Sequence, residues 1–349
     1  AARAAKTALE DARERVATRL GCAPAEVVFT GGGTEADNLA VKGAARAARA
    51  RGLDGVVTTA FEHKGVLAAC DRLEREDFAV RRIAVDRRGI VDLDALGDAL
   101  DERTGIVSVM LVNNEVGTVQ PLIEVVALVR ARAPQAFLHT DAVQAVPWLD
   151  VAGATAGADL VAISGHKFGG PKGCGALIVR AGVALIPEIE GGGQEREVRA
   201  GTVNVAGVVA LATALDVTCE RRVEEVARAG RLRDRLVAGL GPAPDTFFNG
   251  AVEHKVAGNC HVGFRGVESE MLLVALDRAG VCAAAGSSCS SGATEPSHVL
   301  AAMGVVRADA LASIRLSLGF ASTDDDVDEA LAIIPEAVEK LRVAEGAAR

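Results

Sequence analysis

The feature that most restricts this chain is an alternation. Short β-branched, apolar runs take turns with helical patterns through its first half. The runs are Glu26–Thr30 (EVVFT), Gly55–Thr59 (GVVTT), Ile106–Val112 (IVSVMLV), Ala136–His139 (AFLH), Leu160–Ser164 (LVAIS) and Gly175–Val179 (GALIV). Helical stretches lie at 5–20, from Thr34, at Lys64–Arg75 and at Leu122–Arg132. Strands this short and this apolar are covered on both faces, which predicts an α/β fold around a largely parallel sheet. After about residue 204 the texture changes. A long helix over 205–239 ends at Gly239, Gly241, Pro242 and Pro244. Strand candidates follow at 247–249, 259–264 and Ser313–Ser317, and a last helix opens at Thr323 with Leu331, Ile334, Val338 and Leu341 on one face. We expect a large domain over 1–220 and a smaller α+β domain over 221–349.

Charge narrows the function. The 349 residues carry 47 Asp+Glu against 38 Lys+Arg, a formal net charge of −9. An acidic balance argues against direct nucleic-acid binding or a membrane-surface role. No window reaches the ~18 uninterrupted apolar residues of a spanning helix. The first twenty residues mix Arg3, Arg13, Arg15 and Arg19 with Glu10, Asp11 and Glu14, which fits neither a signal nor a transit peptide. The expected compartment is the cytoplasm. The seven cysteines (22, 70, 174, 219, 260, 282 and 289) are dispersed, with no CxxC pair and no histidines at zinc-ligand spacing, so they read as reduced thiols and no metal is expected. Only seven lysines occur (6, 42, 64, 167, 172, 255 and 340), and any Schiff-base chemistry must use one of them.

Polar constellations close several of the predicted strands. Gly31-Gly32-Gly33-Thr34 is open to three readings: a phosphate cradle at a helix start, a dinucleotide fingerprint with Asp54 as its acid, or a plain βα turn. Ser164-Gly165-His166-Lys167 puts a lysine at a strand end, where α/β sheets place ligands; a solvated loop lysine is the alternative. Asp141, followed by Gln144, either pairs with a cofactor ring nitrogen or caps a helix. Asn113-Asn114 either reaches a ring oxygen or makes a turn. His63 begins a helix at the same predicted edge. Cys289, within a run of small polar residues (Gly286–Gly292), has the surroundings of a reactive thiol rather than of a core cysteine. Arg315 in SIRLS either forks onto a substrate carboxylate or makes a structural ion pair.

Taken in order, Thr34-Glu-Ala-Asp-Asn38, Glu62-His-Lys64, Val112-Asn-Asn-Glu115, Asp141-x-x-Gln144, Ser164-Gly-His-Lys167, Gly170-Pro-Lys-Gly173, Gly191-Gly-Gly-Gln-Glu-Arg196, Arg199-x-Gly-Thr202 and Ser313-Ile-Arg315 span the chain. The set resembles the pyridoxal-phosphate cysteine desulfurases of the NifS/IscS type, within the fold-type I, class V aminotransferase-like enzymes. That resemblance implies a large domain with a mostly parallel seven-stranded sheet and a smaller α+β C-terminal domain. It implies pyridoxal 5'-phosphate as cofactor, held covalently by Lys167, with His63 stacked over its ring. Asp141 would meet the ring nitrogen, and Asn114 and Gln144 the ring hydroxyl side. Gly33, Thr34, Ser164 and His166 would bind the phosphate, joined by Thr202 of a second subunit in a homodimer with shared sites. Arg315, with Asn114, would hold the substrate L-cysteine. Cys289 would take its sulfur as a persulfide, release L-alanine and pass the sulfur to an acceptor protein, either an iron–sulfur scaffold or a thiolation carrier. Selenocysteine lyases, cysteine-sulfinate desulfinases and other class V aminotransferase-like enzymes share the same motifs and are the alternative. A nicotinamide-dependent dehydrogenase resting on the glycine loop and a catalytically inactive scaffold are the more distant ones.

The sequence departs from the family pattern in three places. An N-terminal segment that helps form the family's small domain and substrate pocket is expected to lie outside this sequence. The glycine loop reads GGGT where the family usually has Ser and Ala before Thr, and Ala284 and Ala285 replace serines.

Overall fold

The computed structural model describes residues 2–286 and 296–347, with side chains through Ala344. The chain divides into two compact units. The first comprises Ala1–Ala84, Val91–Val112 and Gln120–Arg222, and the second Val85–Ile90, Asn113–Val119 and Val223–Arg349.

The first unit contains α1 (Ala2–Leu20), β1 (Val27–Thr30), α2 (Gly33–Arg49), β2 (Gly55–Thr59), α3 (Lys64–Glu74), β3 (Ala79–Ile83) and α4 (Leu93–Ala99). It continues with β4 (Thr104–Ser108), α5 (Leu122–Arg132), β5 (Phe137–Asp141), α6 (Val151–Ala154), β6 (Leu160–Ser164), β7 (Gly175–Val179) and the first part of α7 (Val205–Leu240). Among the described residues its strands form one seven-stranded sheet in the order β1-β7-β6-β5-β4-β2-β3. Only β7 runs against its neighbours; the other pairings are parallel. The mostly parallel sheet expected from the apolar runs is therefore found. Every residue of β2, β4 and β6 is buried, as strands covered on both faces must be. The edge strand β3 (AVRRI) escapes the apolar pattern because its arginines face outward, Arg81 to Asp101 and Arg82 to Asp71 and Glu74. Helix α2 lies against the sheet through Ala36, Ala40, Ala44, Ala45 and Ala48, whose small side chains permit a close approach.

A turn after β7 carries unusual backbone. Glu195, Arg196 and Glu197 stand at φ of 44°, 55° and 64°, a left-handed conformation that costs non-glycine residues about 1–3 kcal/mol each. A buried ion pair holds it. Arg13 of α1 donates to both oxygens of Glu195 at 2.9 and 2.7 Å, and the Phe29 amide donates to the same carboxylate at 2.8 Å.

The second unit holds the rest of α7 with β8 (Thr246–Phe248), β9 (Asn259–Phe264), α8 (Ser269–Arg278), α9 (His298–Ala302), α10 (Arg307–Leu311), β10 (Ser313–Ser317) and α11 (Asp324–Ala347). Its three described strands form an antiparallel sheet, β10-β9-β8. Cys260, Val262, Phe264, Ile314 and Leu316 on one face pack against Leu272 and Leu276 of α8 and Ile334 and Val338 of α11. The opposite face carries His261, Ser313 and Arg315. Among the described residues no helix is long and apolar enough to cross a membrane.

Removing Arg13 would leave Glu195 charged and buried with the Phe29 amide but without its guanidinium. Arg13→Ala is expected to lower unfolding free energy by about 3–5 kcal/mol, read as a fall in the urea midpoint, and the joint change Arg13→Met with Glu195→Leu to restore most of it.

Candidate active site

Because β1, β2, β4, β5 and β6 are parallel, their carboxyl ends meet one edge of the sheet, the edge at which open α/β sheets bind ligands. The glycine loop follows β1 there, and α2 begins at Gly33 with Gly32 at φ 145° as its cap and no side chain capping its first turn. A Cβ at Gly33 would stand 2.7 Å from the Val143 Cγ2, so the helix start crosses close over the residues after β5. Glu35 accepts from the Gly31 amide at 2.9 Å and is itself held by Arg199 at 2.8 Å, which fixes the loop. The dinucleotide reading fails on topology. Asp54 precedes β2, at the opposite edge of the sheet, and is paired with Arg103.

Ser164 ends β6, and the short helical turn Gly165–Lys167 follows. Ser164 Oγ and His166 Nδ1 lie 3.0 Å apart. Burial, then the neighbouring ammonium groups of Lys167 and Lys172, hold the His166 pKa below its ordinary value. The turn is closed at both ends, since Gly165 and Cys174 join through a 2.9 Å backbone hydrogen bond and Gly170 N donates to Gly165 O at 2.9 Å. Lys167 is exposed at its tip.

Asp141 is the last residue of β5 and 5% exposed. Its Oδ1 accepts from Val143 N at 2.8 Å, so the capping role that the sequence left open is present as an Asx turn. His63 caps α3, its Nδ1 accepting from Gly65 N at 3.0 Å; that bond leaves the ring proton on Nε2. One ligating atom each from Asp37, His63 and Asp141 lies within 4.8 Å of the others. Gln144 is half-buried beyond Asp141, and Thr34 and Thr202 are exposed.

Three buried polar residues at this edge were not singled out from the sequence: Asp37, Glu62 and His139. Glu62 accepts from Met110 N and Thr59 Oγ1, both at 2.9 Å. His139 Nδ1 meets Ser108 Oγ at 2.8 Å, while its Nε2 faces Asp37 Oδ1 at 3.6 Å. The signal was periodicity: Asp37 falls on the buried stripe of α2, and His139 lies two residues before Asp141 on the same side of β5. Burial pushes the carboxyls of Asp37 and Glu62 up to about 8. Burial and then the nearby Asp37 push Asp141 up to about 7, and burial lowers His139 to about 4.

In the second unit, Arg315 Nη1 donates to the Asn114 carbonyl at 2.7 Å, bringing two predicted substrate residues together. Asn113 makes the turn, its Oδ1 accepting from Glu115 N and Val116 N, which separates the roles of the two asparagines. Arg315 and Ala284 exchange backbone hydrogen bonds, and Ser297 Oγ donates to the buried Glu115 carboxylate. Cys289 lies outside the described residues.

Residues 1–330 match the family described as aminotransferase class-V. The chain belongs to that family. It is 43% identical over 337 residues to cysteine desulfurase IscS of Methanosarcina thermophila, covering 97% of this chain and 83% of that one. It is 44% identical over 348 residues to an IscS-like cysteine desulfurase of Mycobacterium tuberculosis, covering 97% and 88%. Among solved structures, a NifS-like protein superposes with a TM-score of 0.90 at 36% identity, covering 96% of this chain and 88% of that one. SspA in complex with cysteine superposes at 0.79 with 31% identity, covering 91% and 88%.

Family membership implies pyridoxal phosphate, and the site fits it. The uncapped amides opening α2, with Ser164 and His166, suit a phosphate. Asp141 offers a buried carboxyl to a ring nitrogen, and Lys167 an amine at the end of the adjacent strand.

The carboxyl shifts make stability depend on pH. A buried acid whose folded pKa exceeds its unfolded value near 4 favours folding only while protonated, so its contribution is lost as pH rises to the folded value. The opposing effect of His139 lies below about pH 6.5. Over roughly pH 6.5 to 8 the cofactor-free protein is therefore expected to lose stability, and Glu62→Gln to flatten the slope in denaturant midpoints.

Proposed function

We propose that this chain is a cysteine desulfurase that converts L-cysteine to L-alanine and carries the sulfur on Cys289 as a persulfide. The observation that carries the reading is identity of 43% and 44% to two cysteine desulfurases over 97% of the chain, with Lys167, Asp141 and His63 at one sheet edge. The structure superposing with cysteine bound is consistent with the substrate class.

When bound, pyridoxal phosphate supplies an electron sink that makes the Cα proton of an amino acid removable. Everything else falls to the protein. The α2 amides, Ser164 and His166 hold the phosphate, with Gly33 giving the close approach and Thr34 a hydroxyl. Thr202 joins them from the second subunit of a homodimer. Asp141 fixes a proton on the ring nitrogen, Gln144 and Asn114 face the ring oxygen, and His63, its Nδ1 occupied by Gly65 N, presents Nε2 to the reacting side. Lys167 would hold the cofactor through its amine, which would also serve as the base for the Cα proton. Arg315 binds the substrate carboxylate. The Cys289 thiolate attacks the substrate sulfur; the C–S bond breaks as the S–S bond forms, and its electron pair stays with carbon, which is protonated as alanine is formed. The reactive thiol requires a reducing compartment, and the free cysteines among the described residues agree with the cytoplasm. An acceptor protein, an iron–sulfur scaffold or a thiolation carrier, then takes the persulfide sulfur.

Cys289→Ser is expected to abolish persulfide formation while keeping the visible absorbance of bound cofactor; sulfide release at the unmutated rate would overturn the assignment. Arg315→Ala is expected to raise KM for L-cysteine by about 10- to 150-fold, the range for losing a hydrogen bond to a charged group. Turnover of cysteine against selenocysteine and cysteine sulfinate separates this activity from its closest alternatives.

A further inference from the structure

Asp37 is 1% exposed on the face of α2 that is otherwise apolar, and the reaction does not use it. Its Oδ1 faces His139 Nε2 at 3.6 Å, and neither atom makes a hydrogen bond to the protein. Asp37 and Asp141 present carboxylate oxygens within 4.8 Å of each other. From β5 it is faced by His139 and Asp141, and from the turn after β2 by Glu62 and His63. The nearest charged residues of α2 itself point elsewhere, Glu35 to Arg199 and Lys42 to Glu188. Both carboxyls are cut off from water, Asp37 at 1% and Asp141 at 5% exposure.

Two buried carboxyls this close cannot both ionise without a counter-charge. Hydrogen bonding decides which one does. Asp141 accepts from a backbone amide at 2.8 Å, which favours its anion, whereas the Asp37 Oδ1 that faces His139 is buried without a hydrogen-bond partner. His139 can serve a neutral acid, because with Nδ1–H directed to Ser108 Oγ its Nε2 is an acceptor.

We propose that Asp37 is a positioning residue that keeps a proton and so leaves Asp141 as the single anion of the pair, matching the one positive charge of a protonated ring nitrogen. No proton is consumed: when that nitrogen meets Asp141, the proton the two carboxyls share settles on Asp37. This rests on the reading of Asp141 as the ring-nitrogen partner.

The test compares the carboxyl signals of protein carrying ¹³C-labelled aspartate, free and loaded with pyridoxal phosphate, in the wild type, Asp37→Asn and Asp141→Asn. At pH 7 the loaded wild type is expected to show a protonated aspartate signal that is missing from loaded Asp37→Asn. Loss of an ionised signal instead would overturn the proposal. Dissociation constants for pyridoxal phosphate give the second readout. Asparagine at 37 mimics the neutral acid and is expected to hold affinity within about threefold, while Asp141→Asn weakens it at least tenfold. Equal weakening by both would mean that Asp37 carries charge, and would also overturn it. If Asp141→Asn leaves affinity unchanged, the ring-nitrogen reading fails, whereas the protonated signal of Asp37 stands or falls separately.

Discussion

The whole sheet edge depends on how closely the first turn of α2 crosses the residues after β5. At Gly33 even one added carbon would meet Val143, and that proximity brings the helix amides, the carboxyl of Asp37 and the end of β5 into one small volume. A side chain at 33 would keep that approach only by displacing the Val143 methyl. The alanines that follow keep the rest of α2 equally near the sheet, so the phosphate cradle and the carboxyl pair are consequences of the same packing.

The site has two electrostatic textures. At its mouth the ammonium groups of Lys167 and Lys172 lie near His166, whose pKa they lower, and with the helix amides this end suits a phosphate. Beneath, Asp37, Glu62 and Asp141 are buried with few donors, and their proton affinity rises accordingly. A ligand with an anionic end and a protonatable ring matches both. The depth of the carboxyls sets the chemistry, because a charge that water cannot screen selects strongly for a cationic partner.

Much of this was legible in the sequence because strand ends in a parallel sheet converge by topology. Apolar runs marked the strands, and whatever polar residues closed them had to share an edge; that logic placed Gly33, His63, Asp141 and Lys167. It also separated the two functions of Asn113-Asn114 only when the turn was seen to use Asn113 alone. What stayed hidden has physical causes. Edge strand β3 lacks the apolar pattern because its arginines face solvent and acidic partners. Asp37 and His139 lie among apolar residues, and a single letter does not reveal whether a buried polar group is a structural partner or part of a site until its neighbours are in place. The glycine loop was ambiguous between phosphate readings, and only the direction of β2, with Asp54 at its start, removed the dinucleotide one.

The left-handed turn at Glu195 has a kinetic meaning. Within the turn the Glu195 carbonyl accepts from Val198 N at 3.1 Å, and the residue that holds the Glu195 carboxylate, Arg13, is 182 positions earlier in the chain. Such a contact closes only once α1 and the turn have come together, at the cost of ordering the long stretch of chain between them. Interactions absent from the folding transition state govern how fast a native protein comes apart rather than how fast it forms. If the Arg13–Glu195 clasp forms after the folding barrier, losing it speeds unfolding more than it slows folding, and the clasp sits beside the segment that presents Arg199 and Thr202.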